Sequence, residues 1–165
     1  MPRGTINYSL AETYAIIKLS GKVTWEVSIE LNTLFQCLLG EGNIKTTFID
    51  CAETEYMDST MLGILVHFKR KSENEHTQVV LAAPSEVCLN LFNDVGLNKV
   101  FDIQDDRPKT ESEFRELPLG KEVTTADIEY LIKKAHEELM SLSDKNKAIF
   151  SPVVNIFNIK PKSRR

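Results

Sequence analysis

The 165-residue sequence is short of cysteine, glycine and histidine, with three, seven and three respectively. Cys37, Cys51 and Cys88 are odd in number, far apart and without C-x-x-C spacing. That excludes a disulfide framework and a thiolate zinc site, and the three read as small buried hydrophobes in a reducing compartment. His67, His76 and His136 are equally scattered, so no metal centre is expected. A Gly-rich phosphate loop, paired-carboxylate spacing and a Ser/His/Asp arrangement are all missing, which argues against an enzyme and a bound cofactor. No stretch reaches the ~20 apolar residues of a membrane span. The opening "MPRGTINYSL" lacks the apolar core of a secretory signal. A formal charge of −4 leaves no basic surface for nucleic acid. Lys160, Lys162, Arg164 and Arg165 form a short basic tail, read as a solvated end. The resulting expectation is a cytoplasmic protein that touches neither membrane nor nucleic acid directly.

Apolar residues make up 42% of the chain, enough for a core, and the length suits one domain with an appendage. "TINYSL" and "YAIIKLSG" read as neighbouring strands. From Trp25 to Leu39 the period changes: Val27, Leu31, Leu34, Phe35 and Leu38 recur at helical spacing, and Gly40 and Gly42 supply stop signals. "IKTTFIDC" is a strand, a helix follows from about Ser59 to Lys71, and "TQVVLAA" is a strand closed by Pro84. Ser85 can cap a helix that Gly96 ends, and "KVFDI" is the last strand. The order β-β-α-β-α-β-α-β predicts an α/β fold with right-handed crossovers, partly parallel pairing and helices on one face.

After Ile103 the character shifts. Residues 104–123 are charged, hold two prolines and a glycine, and read as a linker or a loosely docked excursion. "TTADIEYLIKKAHEELMSLS" is an amphipathic helix with a capping box at Thr124 and Asp127. Its apolar face of Ile128, Leu131, Ile132, Ala135, Leu139 and Leu142 must be buried against something, either its own domain or a second molecule. "SPVVNIFN" reads as a last short helix starting at its Ser-Pro pair. The division expected is residues 1–103, a linker at 104–123, and a helical extension with a basic tail at 124–165.

"YMDSTMLGIL", residues 56–65, sets Asp58, Ser59 and Thr60 at a helix start. One reading is structural: Asp58 or Ser59 caps the helix, worth ~1 kcal/mol. The other is regulatory. A phosphate on Ser59 would meet exposed backbone N–H groups and the positive end of the helix dipole, so the helix should survive it. Control would then act by adding nearly two negative charges to a contact surface. On a helix wheel Met61, Leu62, Ile64, Leu65, Val66 and Phe68 spread over roughly 200°, about twice the stripe a surface helix needs. The excess is either packed beneath neighbouring segments or exposed as a contact surface.

The strand "TTFIDC", the following "MDSTMLGILVHFKRK", the strand "QVVLAAPS" and the closing "VCLNLFNDVGLNKVFDI" together resemble a STAS domain of the anti-sigma factor antagonist family. The resemblance covers about residues 5–103 and implies a STAS-like mixed β-sheet covered by helices. It also implies partner switching. In that family the unmodified antagonist binds a GHKL-type serine kinase that is often also an anti-sigma factor, and a metal-dependent serine phosphatase reverses the phosphorylation. By position the phosphorylated serine is Ser59, and the switch surface comprises Asp58, Ser59, Thr60, Met61 and Ile64. Met61 departs from the glycine usual after the hydroxyl pair and puts a large adaptable side chain beside the switch. Lys22-Val23-Thr24 departs from the acid that often follows the family's "SG" turn.

Three functions follow as rivals. The first is a phosphorylatable binding module. The second is a STAS-like scaffold in which Ser59 only caps the helix. The third is a small α/β enzyme, disfavoured because no histidine is evidently placed to act as a base for Ser59. A homodimer through the C-terminal helices is left open.

Overall fold

β1 (Thr5–Leu10) and β2 (Tyr14–Val23) are β-rich runs joined by a tight turn, closed by the Ala11 N–H donating to the Tyr14 carbonyl at 2.9 Å. They pair antiparallel, from Thr5↔Ser20 to Leu10↔Ala15. The next three strands are each reached through a helix and so enter parallel. β3 (Thr46–Met57) lies on β2, β4 (Gln78–Ala82) on β3, and β5 (Asp102–Gln104) on β4. The intervening helices are α1 (Ser28–Gly40), preceded by a 3-10 turn at Trp25–Val27, α2 (Ser59–Asn74) and α3 (Glu86–Val95). This computed structural model describes residues 3–120 and 122–158. The mixed α/β sheet expected from the sequence is present, with six strands in the order β5-β4-β3-β2-β1-β6.

The main core lies between the helices and one face of the sheet. Ala15, Ile17 and Leu19 of β2 and Ile49 and Cys51 of β3 point into it, alternating with residues of the opposite face. Phe35 of α1 stacks on Phe68 of α2 with ring centroids 3.9 Å apart. Cys88 of α3 and Cys51 are both buried, and their thiols share a hydrogen bond that pulls Cys88 down to about 7 and pushes Cys51 up. Cys37, by contrast, is exposed, so only two of the three cysteines behave as buried hydrophobes. Gly96 ends α3 in the left-handed region at φ 86°, as its stop signal predicted.

The segment read as a linker or excursion is neither free nor loose. It runs across the second face of the sheet as a strap. Arg107 donates from Nε to Asp50 Oδ2 at 3.0 Å and from its terminal nitrogen to Glu53 Oε2 at 2.7 Å. The Tyr14 hydroxyl donates to Thr110 Oγ1 at 3.2 Å, and the Ser9 hydroxyl to the Ser112 carbonyl at 3.1 Å. Lys18 Nζ sits 4.8 Å above the Phe114 ring centroid. The strap then adds the strand β6 (Arg115–Glu116), antiparallel to β1. Charge concealed this strand: its partners are single polar contacts rather than an apolar stripe.

From β6 the chain returns to the helical side. α4 (Thr125–Met140) carries both bonds of the expected capping box, Asp127 N–H to Thr124 Oγ1 at 3.1 Å and Thr124 N–H to Asp127 Oδ2 at 3.2 Å. α5 (Asp144–Asn158) contains Pro152 rather than starting at it. The Ser143 side chain accepts from the Asn146 N–H at 3.0 Å and starts the helix well before the Ser-Pro pair. The expected basic tail lies outside the described residues.

Arg107→Ala would strip Asp50, 2% exposed, of its cation. Because Arg107 itself is half exposed, the expected loss is about 1–2 kcal/mol in urea unfolding at neutral pH. The hydrogen bond from Arg107 holds Glu53 below the usual carboxylate range. That part of the stabilisation is present above the ordinary glutamate value and disappears as pH falls through the lowered one. The gap between wild type and variant should therefore narrow in acid; a gap that stays constant would mean the strap is held by other contacts.

Candidate functional site

The start of α2 is fixed by one carboxylate. Asp58 is the N-cap: Oδ1 accepts from the Met61 N–H at 3.0 Å, while Oδ2 accepts from the Trp25 N–H at 2.9 Å. One side chain thus caps α2 and ties it to the turn leaving β2. Trp25 and Tyr56 flank this point and are 46% and 44% exposed. Neither aromatic was singled out in the sequence, although large exposed rings beside a helix start suit a protein contact.

Ser59 is the first residue of α2 and is half-buried. Its hydroxyl is not the cap. Ser59 Oγ lies 2.8 Å from His136 Nε2 on α4, and His136 Nδ1 lies 2.7 Å from the Ile132 carbonyl. The carbonyl can only accept, so in the neutral imidazole the proton is assigned to Nδ1, and Nε2 then accepts from the Ser59 hydroxyl. The expectation that no histidine stands by Ser59 is therefore corrected: a residue 77 positions away arrives through the docked extension. No carboxylate completes a triad, since the second imidazole nitrogen goes to backbone.

The other switch residues diverge. Thr60 is buried at 5% exposure, and Met61 and Ile64 are buried in the hydrophobic core. Met61 is thus a packing residue, and neither it nor Ile64 is presented on the surface. The broad apolar arc of α2 has its explanation here: the sheet and α1 take one side, and α4 takes the other.

At Gly63 the backbones of α2 and α4 approach closely. A Cβ added there would lie 2.1 Å from the Ala135 carbonyl oxygen, so only glycine permits this approach. Leu131, Ala135 and Leu139 of α4 are buried in the common core. Polar contacts follow the same crossing. Glu138 pairs with His67 Nδ1 at 2.6 Å and with Arg70 at 2.9 Å, and Arg70 also reaches the Ser141 hydroxyl. Glu138 was not singled out in the sequence and His136 was read only as one of three scattered histidines; their place beside Ala135 and Leu139 was the only hint of a shared interface. Among the described residues no group of three histidine, cysteine or acidic side chains could hold a metal ion, and no helix is long and apolar enough to cross a membrane.

Strand order, helix placement and the hydroxyl pair at the start of the second long helix define a STAS-type domain. The family described as "Mlab, STAS domain" matches residues 6–104, more than half of the chain, and the protein belongs to that family. Among solved structures, it is similar to the anti-sigma factor antagonist SpoIIAA in its unphosphorylated form, with 18% identity over 64% of this chain and 89% of that one and a TM-score of 0.55. The Bacillus cell fate determinant SpoIIAA in its phosphorylated form is similar at 18% identity, covering 64% and 92%, with a TM-score of 0.52. An anti-sigma factor antagonist from Mycobacterium paratuberculosis is similar at 18% identity, covering 61% and 85%, with a TM-score of 0.55. At such identities the likeness establishes the fold. No curated protein sequence matches the chain. The strap, β6, α4 and α5 all follow the last residue of the family match.

Asp58→Ala should cost about 1–2 kcal/mol, because it removes both the helix cap and the tie to Trp25. Asp58→Asn keeps one acceptor oxygen, while its NH2 can only donate and would face the second backbone N–H, so it should recover only part of the loss. Chemical denaturation of the two variants checks this; full recovery by Asp58→Asn would mean that the second of the two hydrogen bonds contributes nothing.

Proposed function

We propose that the protein is an anti-sigma factor antagonist-like binding module of a partner-switching pathway, without enzymatic activity of its own, controlled by reversible phosphorylation of Ser59. The observation that carries the reading is the division of labour at the helix start. Asp58 caps α2, which leaves the Ser59 hydroxyl free of that duty. A phosphate added to Ser59 therefore breaks no cap, and it lies where backbone N–H groups and the helix dipole favour negative charge. The partners this reading requires are a GHKL-type serine kinase that doubles as an anti-sigma factor and a metal-dependent serine phosphatase, all in the cytoplasm. Contact with the kinase falls on Asp58 and Ser59 together with the exposed rings of Trp25 and Tyr56, in place of the buried Met61 and Ile64.

The scaffold reading has one observation of its own. The bond to His136 gives Ser59 a structural use that needs no kinase. Two measurements separate the readings. The protein isolated from its native cells should carry one phosphate, mapped to Ser59. Ser59→Ala should bind the cognate kinase constitutively, and Ser59→Glu should bind it at least ten-fold more weakly, by roughly the effect of one well-placed charge. Loss of the Ser59 hydroxyl should lower stability by only about 1 kcal/mol. Equal kinase binding by the two variants would remove phosphorylation as the control and leave the scaffold.

A further inference from the structure

The outer face of α2 is built from complementary pieces. Gly63 sits at its middle with no side chain, Ser59 lies one turn before it, and His67 and Arg70 lie one and two turns after it. α4 answers each: Ala135 crosses over Gly63, His136 takes the Ser59 hydroxyl, and Glu138 takes both His67 and Arg70. Beyond α2, the described polar ties of the α4–α5 pair are few. Asn146 Nδ2 donates to the Val95 carbonyl at 2.8 Å and Lys145 Nζ to the Asp94 carbonyl at 3.2 Å, both at the end of α3. Leu131, Ala135 and Leu139 add apolar burial to these polar ties, and α4 lies beyond the family match, so it covers a face of α2 that the matched domain by itself leaves open. The Ser59 position adds a steric condition. With Oγ and His136 Nε2 only 2.8 Å apart, there is no room for a phosphoryl group between them.

We infer that the outer face of α2 is a helix-docking surface held in cis by α4, and that a protein partner engages it by displacing α4. The partner that fits presents an α-helix with a small residue over Gly63 and a carboxylate one turn further on, facing His67 and Arg70. The inference rests on the reading of α2 as the partner-binding element, and it adds the direction of control. The chain is closed while α4 is docked, and Ser59 is modified only in the open form.

Two experiments test it on the full-length protein. In native-state hydrogen exchange, the amides from Leu131 to Leu139 should exchange through an opening that leaves β2 and β3 protected, roughly ten-fold faster or more. Protection of α4 equal to that of β3 would overturn the inference. In the second experiment, Leu139→Asp puts a charge into the buried face of α4 and should open the chain. A fluorescent synthetic peptide of residues 124–142 should then bind this variant in trans and leave wild type unbound. Adding Gly63→Ala should abolish that binding, because the new Cβ meets the peptide backbone while α2 itself gains helix propensity. No binding to the opened chain, or binding unaffected by Gly63→Ala, would overturn the inference. Should Leu139→Asp fail to fold, the exchange measurement on wild type decides alone. Neither readout involves a kinase or a phosphate. An unmodified Ser59 in cells would sink the phosphorylation reading and leave this surface standing, and a fully protected α4 would do the reverse.

Discussion

The contact of Gly63 with the backbone of Ala135 sets the spacing on which the rest of the extension depends. Two helices can approach this closely only where one of them has no side chain. A single methylene more at this point would lift α4 away by more than a hydrogen bond tolerates. The Ser59–His136 bond, the pairing of Glu138 with His67 and Arg70, and the burial of Leu131 and Leu139 are therefore all downstream of one missing Cβ. Asp58 complements it from the other side, by fixing where α2 begins and so which residue faces His136.

The extension is integrated with the domain by two different kinds of chemistry. On the open face of the sheet the strap uses scattered polar bonds and one guanidinium that reaches two carboxylates, with Asp50 almost fully buried beneath it. On the helical face α4 uses a mixed interface in which apolar residues alternate with charged and hydroxyl groups. The chain thus passes around the β1 edge and covers both faces of the same sheet, with β6 protecting the edge that β1 would otherwise leave open.

Local signals in the sequence were legible wherever short-range physics decides. The antiparallel first pair, the parallel strands, the helix stop at Gly96, the cap at Ser85 and the capping box at Thr124 all follow from residues within a few positions of one another. The STAS-type sheet was legible from the resemblance that the motifs within residues 5–103 bear to that family. What could not be read depends on contacts across the whole chain. His136 meets Ser59 only once α4 has folded over α2, and a histidine among "KKAHEEL" has no local mark to distinguish it from its solvated neighbours. Met61 suggested an adaptable surface because it stands where the resembling family has glycine, and its helix also showed a wide apolar arc. The arc was real, but a second helix of the same chain covers it. β6 escaped notice because two charged residues on a sheet edge carry no period. Ser143 won the start of α5 over Ser151 because its hydroxyl reaches a free backbone N–H, and Pro152 is then accommodated within the helix.

Under the displacement inferred above, the short connection from Glu116 to Thr125 makes α4 a competitor that never leaves. A tethered segment acts at an effective concentration fixed by the length and stiffness of its link, in the millimolar range for short flexible links. Dilution cannot lower it, and neither can a change in how much of the protein a cell makes. A partner feels its own intrinsic affinity reduced in proportion to the fraction of chains that stand open. The threshold at which such a module responds is then a property of each molecule, set by the reach of one short connection.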